Sequence, residues 1–160
     1  MRVKDLMART PYFCYLHENL GTATERMWKG NCGFLPVLDA ESNVRGVLTD
    51  RDIAIALGTR NVRAGELTVH EVTQGSVVSC GPEDDIHVAL QTMREGRVRR
   101  LVVIDPEGKL AGVISMDDIV LHAEPARFGK EPELTSDEAI RTFRTIMRKD
   151  SMTAAKKTAA

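Results

Sequence analysis

The sequence is poor in cysteine and in aromatic residues, which limits what can hold its fold together. Only three of the 160 residues are cysteine, and aromatic residues make up 4%. Three scattered cysteines do not form a disulfide framework, and no Cys-x-x-Cys pair suggests zinc. The core must therefore be built from aliphatic side chains and methionine, which the hydrophobic fraction of 42% can supply. We expect a reducing compartment and no metal site.

Long apolar runs and a strong charge of either sign are also missing. No stretch approaches the roughly 20 apolar residues of a membrane span, and the amino terminus has no signal-peptide pattern. The net charge of -1 is far from the concentrated positive field that is typical of proteins that bind duplex DNA. The sequence therefore predicts a cytoplasmic protein with neither a membrane nor DNA as a partner.

What the sequence does contain is an internal repeat with a period of 66 residues. Residues 46–52 read Gly-Val-Leu-Thr-Asp-Arg-Asp, and residues 112–118 read Gly-Val-Ile-Ser-Met-Asp-Asp. The same shift aligns further pairs without a gap: Val3 with Val69, Cys14 with Cys80, Ala23 with Ala89, Met27 with Met93, Leu35 with Leu101 and Val37 with Val103. A unit too small to bury its own apolar face must stack on a neighbour, so two copies predict one closed, pseudo-symmetric pair.

Within each copy, the hydrophobic pattern predicts the order strand, helix, strand, strand, helix. The first helix is expected to stop at Gly30 in one copy and at Gly96 in the other. Two apolar strands joined by a turn follow, and a second helix is predicted to begin near Asp50 or Met116. The predicted fold is α+β, with two β-α-β-β-α units packed about a pseudo-two-fold axis.

The remaining segments complete the predicted domain organisation. The divisions are a first unit (1–60), a second unit (61–124), a linker (125–134), a C-terminal helix (135–150) and a disordered tail (151–160). The C-terminal helix is amphipathic, and its predicted apolar face contains Ile140, Phe143, Ile146 and Met147. We expect this face to dock on the body, on a second subunit or on a partner.

The repeated Gly-aliphatic-aliphatic-Ser/Thr-x-x-Asp motif, together with the strand ends Pro-Val-Leu-Asp and Val-Val-Ile-Asp, resembles a CBS domain pair, also called a Bateman module. The resemblance covers residues 1–124. It implies a stand-alone regulatory module that requires no cofactor and binds AMP, ADP or ATP, with S-adenosylmethionine or NAD(H) as further candidate ligands. It also implies a homodimer and a protein partner through which the ligand exerts its effect.

The residue types in the motif suit a nucleoside phosphate. One carboxylate can accept hydrogen bonds from both ribose hydroxyls, so Asp52 and Asp118 are the candidates for this role. Three residues earlier, Thr49 and Ser115 stand where a strand gives way to a helix. Their hydroxyls and the neighbouring N–H groups can face a phosphate at the helix amino terminus.

The resemblance implies that each cleft takes its aspartate from one unit and part of its wall from the other. Adenine is expected to lie between aliphatic side chains along a first strand. The predicted first cleft contains Thr49, Asp52, Ser76, Val78, Val98 and Arg99. The predicted second cleft contains Ser115, Asp118, Thr10, Tyr12, Cys32 and Gly33.

The two clefts differ where Arg99 and Arg100 of the second copy align with Gly33 and Phe34 of the first. A guanidinium group offers a planar fork of donors to phosphate oxygens, whereas glycine and phenylalanine offer none. We therefore expect the cleft that contains Asp52 to bind a phosphorylated ligand more tightly. Arg100 could serve either cleft or an opposing subunit.

Each candidate residue also has a structural interpretation. The two aspartates could simply cap the helices that follow, and the two arginines could form a solvated basic patch or an intersubunit ion pair. Cys14 and Cys80 are predicted to fill core volume. The whole chain could be a structural dimerisation module without a physiological nucleotide. An enzyme is disfavoured, because the sequence has no nucleophile with its base, no Walker loop and no metal-ligand cluster.

Overall fold

The computed structural model describes residues 1–73, 75–126 and 132–148. Its helices and strands, in chain order, are α1 (Val3–Leu6), β1 (Cys14–Tyr15), α2 (Leu20–Lys29), β2 (Phe34–Leu38), β3 (Val44–Thr49), α3 (Asp50–Arg60), α4 (Val69–Val72), β4 (Ser79–Cys80), α5 (Ile86–Gly96), β5 (Arg100–Ile104), β6 (Leu110–Ser115), α6 (Met116–His122) and α7 (Ser136–Met147). The β-α-β-β-α order of both units is confirmed. Each unit is preceded by a short helix, α1 or α4, that the sequence pattern did not predict.

Each unit contains one three-stranded sheet, and the two sheets are paired in the same way. β1 runs parallel to β2, which runs antiparallel to β3, and β4, β5 and β6 repeat this order. Even the irregularity in the antiparallel pairing recurs, between Val37 and Leu38 in one sheet and between Val103 and Ile104 in the other. The α+β fold with two equivalent units is confirmed.

The two short helices are exchanged between the units. Val3 of α1 is fully buried in the core of the second unit, and Val69 of α4 is fully buried in the core of the first. Two equivalent backbone bridges hold these helices in place: Arg2 with Asp85, and Thr68 with Asn19. Because each core needs a segment from the other half of the chain, the two units stabilise each other.

The turns between the second and third strands of each unit meet at the pseudo-two-fold axis. Asn43 and Lys109, which are equivalent residues, form a backbone bridge. The Lys109 Nζ donates to the side-chain oxygen of Asn43 at 2.8 Å and to the carbonyl of Glu41 at 2.5 Å. The predicted packing about a pseudo-two-fold axis therefore has a direct contact at its centre.

Gly30 and Gly96 serve close packing rather than helix termination by a left-handed residue. Gly30 caps α2 in an ordinary right-handed conformation with φ of -83°, whereas Gly96 is the last residue of α5, and Arg97 caps that helix with φ of 52°. A Cβ at Gly30 would lie 2.6 Å from the Tyr12 ring, and one at Gly96 would lie 2.9 Å from Val78 Cγ1. The prediction that the helix stops at Gly96 is confirmed, but the left-handed capping residue is Arg97, and the space for Val78 explains the glycine.

The helix α7 packs on α5 and α6 of the second unit. A reciprocal capping box starts it, in which the Thr135 hydroxyl accepts from the Glu138 N–H at 3.2 Å and the Glu138 carboxylate accepts from the Thr135 N–H at 2.9 Å. Its most buried residues are Ala139 and Thr142, and the Thr142 hydroxyl accepts a 2.8 Å hydrogen bond from Arg94.

Two of the residues predicted on the apolar face of this helix are more exposed than expected. Phe143 and Ile146 pack against the second core, but Ile140 and Met147 remain 50% and 66% exposed. The docked face is therefore rotated toward Ala139 and Thr142. Residues 127–131 of the predicted linker and the predicted tail, 151–160, lie outside the described residues. Within the described ranges, no helix combines the length and apolar character needed to cross a membrane.

Candidate functional site

Both candidate aspartates take part in a capping box at the start of a helix. At α3, one carboxylate oxygen of Asp52 accepts from the Thr49 N–H at 3.0 Å and from the Thr49 hydroxyl at 2.6 Å. In return, the Asp52 N–H donates to the Thr49 hydroxyl oxygen at 3.2 Å. Ser115 and Asp118 repeat the arrangement at α6, with distances of 2.8, 2.5 and 3.3 Å.

This geometry confirms the helix-cap interpretation and leaves part of each carboxylate available. In both aspartates the capping bonds are made by Oδ2 alone. Among the described residues, no group donates to the Oδ1 atom of Asp52 or Asp118. Both side chains are only half-buried. A role of these aspartates in holding a ribose stays a prediction, but the cap does not preclude it.

The first cleft is a cavity of about 380 Å³ between the two units. It brings together most of the residues predicted for it, namely Thr49, Ser76, Val78, Val98 and Arg99, and adds Phe34, Val47, Gly96 and Arg100. Asp52 is not among the residues that line the cavity, but it is hydrogen-bonded to Thr49, which does line it.

The second cleft is a cavity of about 260 Å³. Of the predicted residues it contains Thr10, Tyr12, Cys32, Ser115 and Asp118, and it adds Ala8, Pro11, Gly30, Phe34, Arg100 and Val113. Gly33 is not part of its lining. It lines a neighbouring cavity, and a Cβ built on it would lie 2.5 Å from the Asp50 carboxylate. The glycine therefore makes room for Asp50 rather than for the second cleft.

The sequence interpretation predicted Thr10 and Tyr12 of the amino-terminal segment in this cleft but missed Ala8 and Pro11. Ala8 exchanges two backbone hydrogen bonds with Val113 of β6, at 2.9 and 3.0 Å. Gly112 permits this approach, because a Cβ there would lie 2.6 Å from the Ala8 carbonyl oxygen. The repeated glycine at the start of the motif was the available signal, since it indicated that a backbone or a ligand comes close.

Arg99 and Arg100 are the cations nearest the first cleft. Arg99 is exposed and Arg100 is half-buried. Within the described part of the chain, neither is paired with a carboxylate. The guanidinium carbon of Arg100 lies 6.0 Å from the centre of the Phe34 ring, within the range of a cation–π contact. Unpaired guanidinium groups beside a cavity suit an anionic group on a ligand.

The three cysteines divide into two buried thiols and one at the clefts. Burial, together with the Glu18 carboxylate, raises the pKa of the Cys14 thiol to about 12, and burial with the Asp84 carboxylate does the same for Cys80. The predicted core role of both residues is confirmed by their burial. Cys32 is only half-buried and lines the second cleft. No described group of three or more His, Cys, Asp or Glu residues could hold a metal ion.

Two further grooves lie on the helical faces. The first-unit groove is a cavity of about 490 Å³ between α2 and α3, which is lined by Trp28 and Asp50 among others. The α7 groove is a cavity of about 440 Å³, which is lined by Val120, Ala139, Ile140, Phe143, Arg144, Met147 and Arg148. Trp28 is 85% exposed, so the described residues leave its indole ring uncovered.

Two β-α-β-β-α units that exchange short helices, with a cleft on either side of a pseudo-two-fold axis, define the class of paired CBS folds. The family comparison agrees, because the CBS domain model matches residues 3–59 and 69–124. The chain therefore belongs to the CBS domain family. Among curated proteins, it is 31% identical over 120 residues to the CBS domain-containing protein YhcV of Bacillus subtilis, which covers 75% of this chain and 84% of that protein.

Solved structures share the fold. Hypoxic Response Protein I, solved with two coordinated zinc ions, matches with a TM-score of 0.71 and 28% identity over 78% of this chain and all of that one. The CBS domain pair of MJ0100, solved with 5'-methylthioadenosine and S-adenosyl-L-methionine, matches with a TM-score of 0.68 and 21% identity over 76% and 94%. PAE2072 from Pyrobaculum aerophilum, complexed with AMP, matches with a TM-score of 0.66 and 21% identity over 74% and 90%.

Proposed function

We propose that this protein is a regulatory module that binds adenine nucleotides of the AMP, ADP and ATP class in its two clefts. The observation that carries the proposal is the composition of the first cleft. There, a hydroxyl at a helix amino terminus of one unit and two unpaired arginines of the other unit border one cavity. Adenosine-containing ligands in MJ0100 and PAE2072 support the same ligand class.

The proposed binding mode assigns one ligand group to each part of the first cleft. Adenine lies against Val78 and Val98, whose aliphatic side chains offer an apolar surface. The ribose hydroxyls donate to the Oδ1 atom of Asp52. The phosphate lies at the amino terminus of α3, where the helix dipole and the Arg99 guanidinium group favour negative charge. The Thr49 hydroxyl can donate to the phosphate when it gives up its hydrogen bond to Asp52.

The second cleft is proposed to bind the same ligands more weakly when they carry phosphate. Ser115 and Asp118 supply the equivalent helix terminus, and Tyr12 replaces Val78. The position equivalent to Arg99 is Gly33, which lines a different cavity. S-adenosylmethionine carries no phosphate and NAD(H) carries a diphosphate, so the two ligands should differ in which cleft they prefer.

Calorimetric titration of AMP, ADP, ATP, S-adenosylmethionine and NADH tests the proposal, with one blocked variant for each cleft. Ser76 and Thr10 are equivalent, exposed residues that line the first and second clefts, respectively. Neither helps to cap α3 or α6. Ser76→Trp should therefore remove the tighter AMP site without disturbing these helices, and Thr10→Trp should remove only the weaker one. Asp52→Ala should weaken binding in the first cleft.

Labelling of Cys32 with a thiol reagent reports the second cleft separately. Cys14 and Cys80 serve as internal controls, because their raised pKa keeps them protonated and unreactive at pH 8. Nucleotide in the second cleft should slow the labelling of Cys32. If no nucleotide binds to the wild-type protein, or if both tryptophan variants bind like the wild type, the proposed function is wrong.

We also infer a homodimer in which Trp28 of one copy enters the α7 groove of the other. The α7 groove is apolar and bears Arg144 and Arg148, whereas the surface beside Trp28 bears the exposed Asp50 carboxylate. The opposite charges favour this pairing over one that brings two α7 grooves together. An indole ring buries about 150–250 Å² when covered. A partner protein would then respond to ligand-dependent changes in the dimer.

Light scattering of Trp28→Ala tests this interface. The variant should shift the population toward the monomer, whereas Val88→Ala, which changes another half-exposed apolar residue, should leave the mass unchanged. A monomeric wild-type protein would contradict the homodimer. A stable dimer without any nucleotide binding would instead favour a structural dimerisation module, for which the exposed Trp28 is the favouring observation.

A further inference from the structure

The two clefts share a wall made of Phe34 and Arg100. These residues are equivalent in the repeat and stand at the starts of β2 and β5. Both line the first cleft and both line the second, and no other described residue does so. The Arg100 guanidinium carbon lies 6.0 Å from the centre of the Phe34 ring. The arginine therefore lies between the two cavities rather than inside one of them.

The clefts differ in how many cations they can offer a ligand. The first cleft is lined by Arg99 and Arg100, whereas Arg100 is the one basic residue among the described residues that line the second. Across the strand pair, Arg100 is the register partner of Ser115, which starts α6 at the second cleft. Arg100 is thus close to the helix terminus where a phosphate in the second cleft would lie.

We propose, on the basis of the function proposed above, that Arg100 is a phosphate-binding residue shared by both clefts, so that a phosphorylated ligand in one cleft weakens phosphate binding in the other. The Arg100 side chain takes one position at a time, so a guanidinium group drawn toward a phosphate in one cleft offers fewer of its five N–H donors to a phosphate in the other. Two phosphates near one cation also repel each other. The coupling is reciprocal, because each ligand must change the affinity of the other by the same factor.

The size of the coupling follows from the bond that is lost. A hydrogen bond to a charged group contributes enough for a change of about tenfold to hundredfold in affinity. We expect the second AMP to bind that much more weakly than it would to an otherwise empty protein. Adenosine has no phosphate, so it should fill the two clefts independently.

The test compares the affinity of the second cleft when the first is filled by AMP with its affinity when the first is blocked. Ser76→Trp blocks the first cleft without adding a phosphate, so Arg100 stays available. AMP should then bind the second cleft about tenfold to hundredfold more tightly than in the second step of the wild-type titration. Adenosine should show no such difference. Slower labelling of Cys32 confirms which cleft is being filled.

Arginine variants separate this coupling from a steric effect of the tryptophan. In Arg100→Gln, AMP should bind the second cleft equally well with and without Ser76→Trp. Arg99→Gln is the matched control, because it weakens the first cleft but leaves the shared residue in place, so the coupling should remain. If Arg100→Gln does not fold, Arg100→Lys tests the same point with a charge that cannot form the planar fork.

The outcomes distinguish this inference from the proposed function. If AMP fills both clefts and the second affinity is the same in wild type and in Ser76→Trp, the shared role of Arg100 is wrong, while nucleotide binding stands. Equal coupling for adenosine and AMP would also overturn it, because phosphate would not be the cause. If no nucleotide binds at all, both proposals fall together.

Discussion

The two units have the same backbone register but different surroundings. In the second unit, α7 covers the helix pair α5 and α6 and buries Ala139 and Thr142 against it. In the first unit, no helix within residues 1–73, 75–126 and 132–148 covers the equivalent pair α2 and α3, and Trp28 is 85% exposed. The two units therefore share a backbone arrangement but differ in that one helix pair is covered by α7 and the other is exposed. The exposed pair is available for contact with another chain.

A second difference lies at the start of the central strands. Arg99 and Arg100 precede or begin β5, whereas Gly33 and Phe34 stand in the same places before and at the start of β2. Both helix termini that follow are built alike, with the same capping box. The two clefts thus differ in chemistry because of the residues at the starts of β2 and β5, and not because of the repeated motif.

The largest expected effect concerns the covered face of the second unit. Leu134 stands directly before Thr135, the N-cap of α7; it is 1% exposed and packs in the second core. Leu134→Ala should lower the free energy of unfolding by about 2–5 kcal/mol, because it removes buried surface and leaves a cavity. Chemical denaturation measures this loss, and hydrogen exchange should show faster opening of α5 and α6 than of α2 and α3.

Ile140→Ala is the matched control for that experiment. It shortens an apolar side chain on α7 itself, but one that is 50% exposed, so it should change stability by less than about 1 kcal/mol. An equal loss for the two variants, or equally fast exchange in both helix pairs, would contradict the assignment of the segment 134–147 to the second unit.

A smaller effect is expected where the amino-terminal segment meets β6. In Gly112→Ala, the new Cβ would lie 2.6 Å from the Ala8 carbonyl oxygen, which is backbone and cannot simply rotate away. The variant should lose about 1–3 kcal/mol of stability. Gly58→Ala is the control, because nothing lies within 4 Å of its Cβ on α3, and it should gain about 0.5–1 kcal/mol. Unchanged stability of Gly112→Ala would show that this contact is loose.

Many of the features shared by the two units could be predicted from the sequence, because the residues that determine them are close together in the chain. The hydroxyl and the aspartate three residues later predicted both helix starts, and the turn residues between 39 and 43 predicted the strand pair. The exchange of α1 and α4 could not be predicted, because these helices have four residues each. Their partners lie far away in the chain, and such short segments carry no periodic pattern.

The sequence predicted most of the residues at the candidate site, but it did not predict which of them line the cavities. Thr49, Ser76, Val78, Val98 and Arg99 do share one cavity, because the pseudo-symmetry fixes which strand faces which helix. Asp52 does not line this cavity, and Gly33 does not line the second cleft. Which residues line a cavity depends on side-chain rotamers, which a sequence pattern does not specify.

The smallest expected effect compares the two equivalent turn aspartates. Partial burial of Asp39 acts to raise its pKa, but hydrogen bonds from the Asn43 backbone and side chain and from Arg45 outweigh it and lower the pKa to about 2. Asp105 accepts a bond from the Lys109 N–H, but the residue equivalent to Arg45 is Ala111. The first turn should therefore be the more acid-sensitive one.

Because the pKa of Asp39 is lower in the folded than in the unfolded protein, its carboxylate stabilises the fold fully above the unfolded value of roughly 4. That contribution is lost as the pH falls through about 2. Asp39→Asn should melt below the wild type at pH 7, and the difference should close between about pH 4 and pH 2. Arg45→Ala should show part of the same loss. If the difference in melting temperature stayed constant across this pH range, Asp39 would stabilise the turn through the shape of its side chain and not through its charge. The two turns would then be alike in their electrostatics.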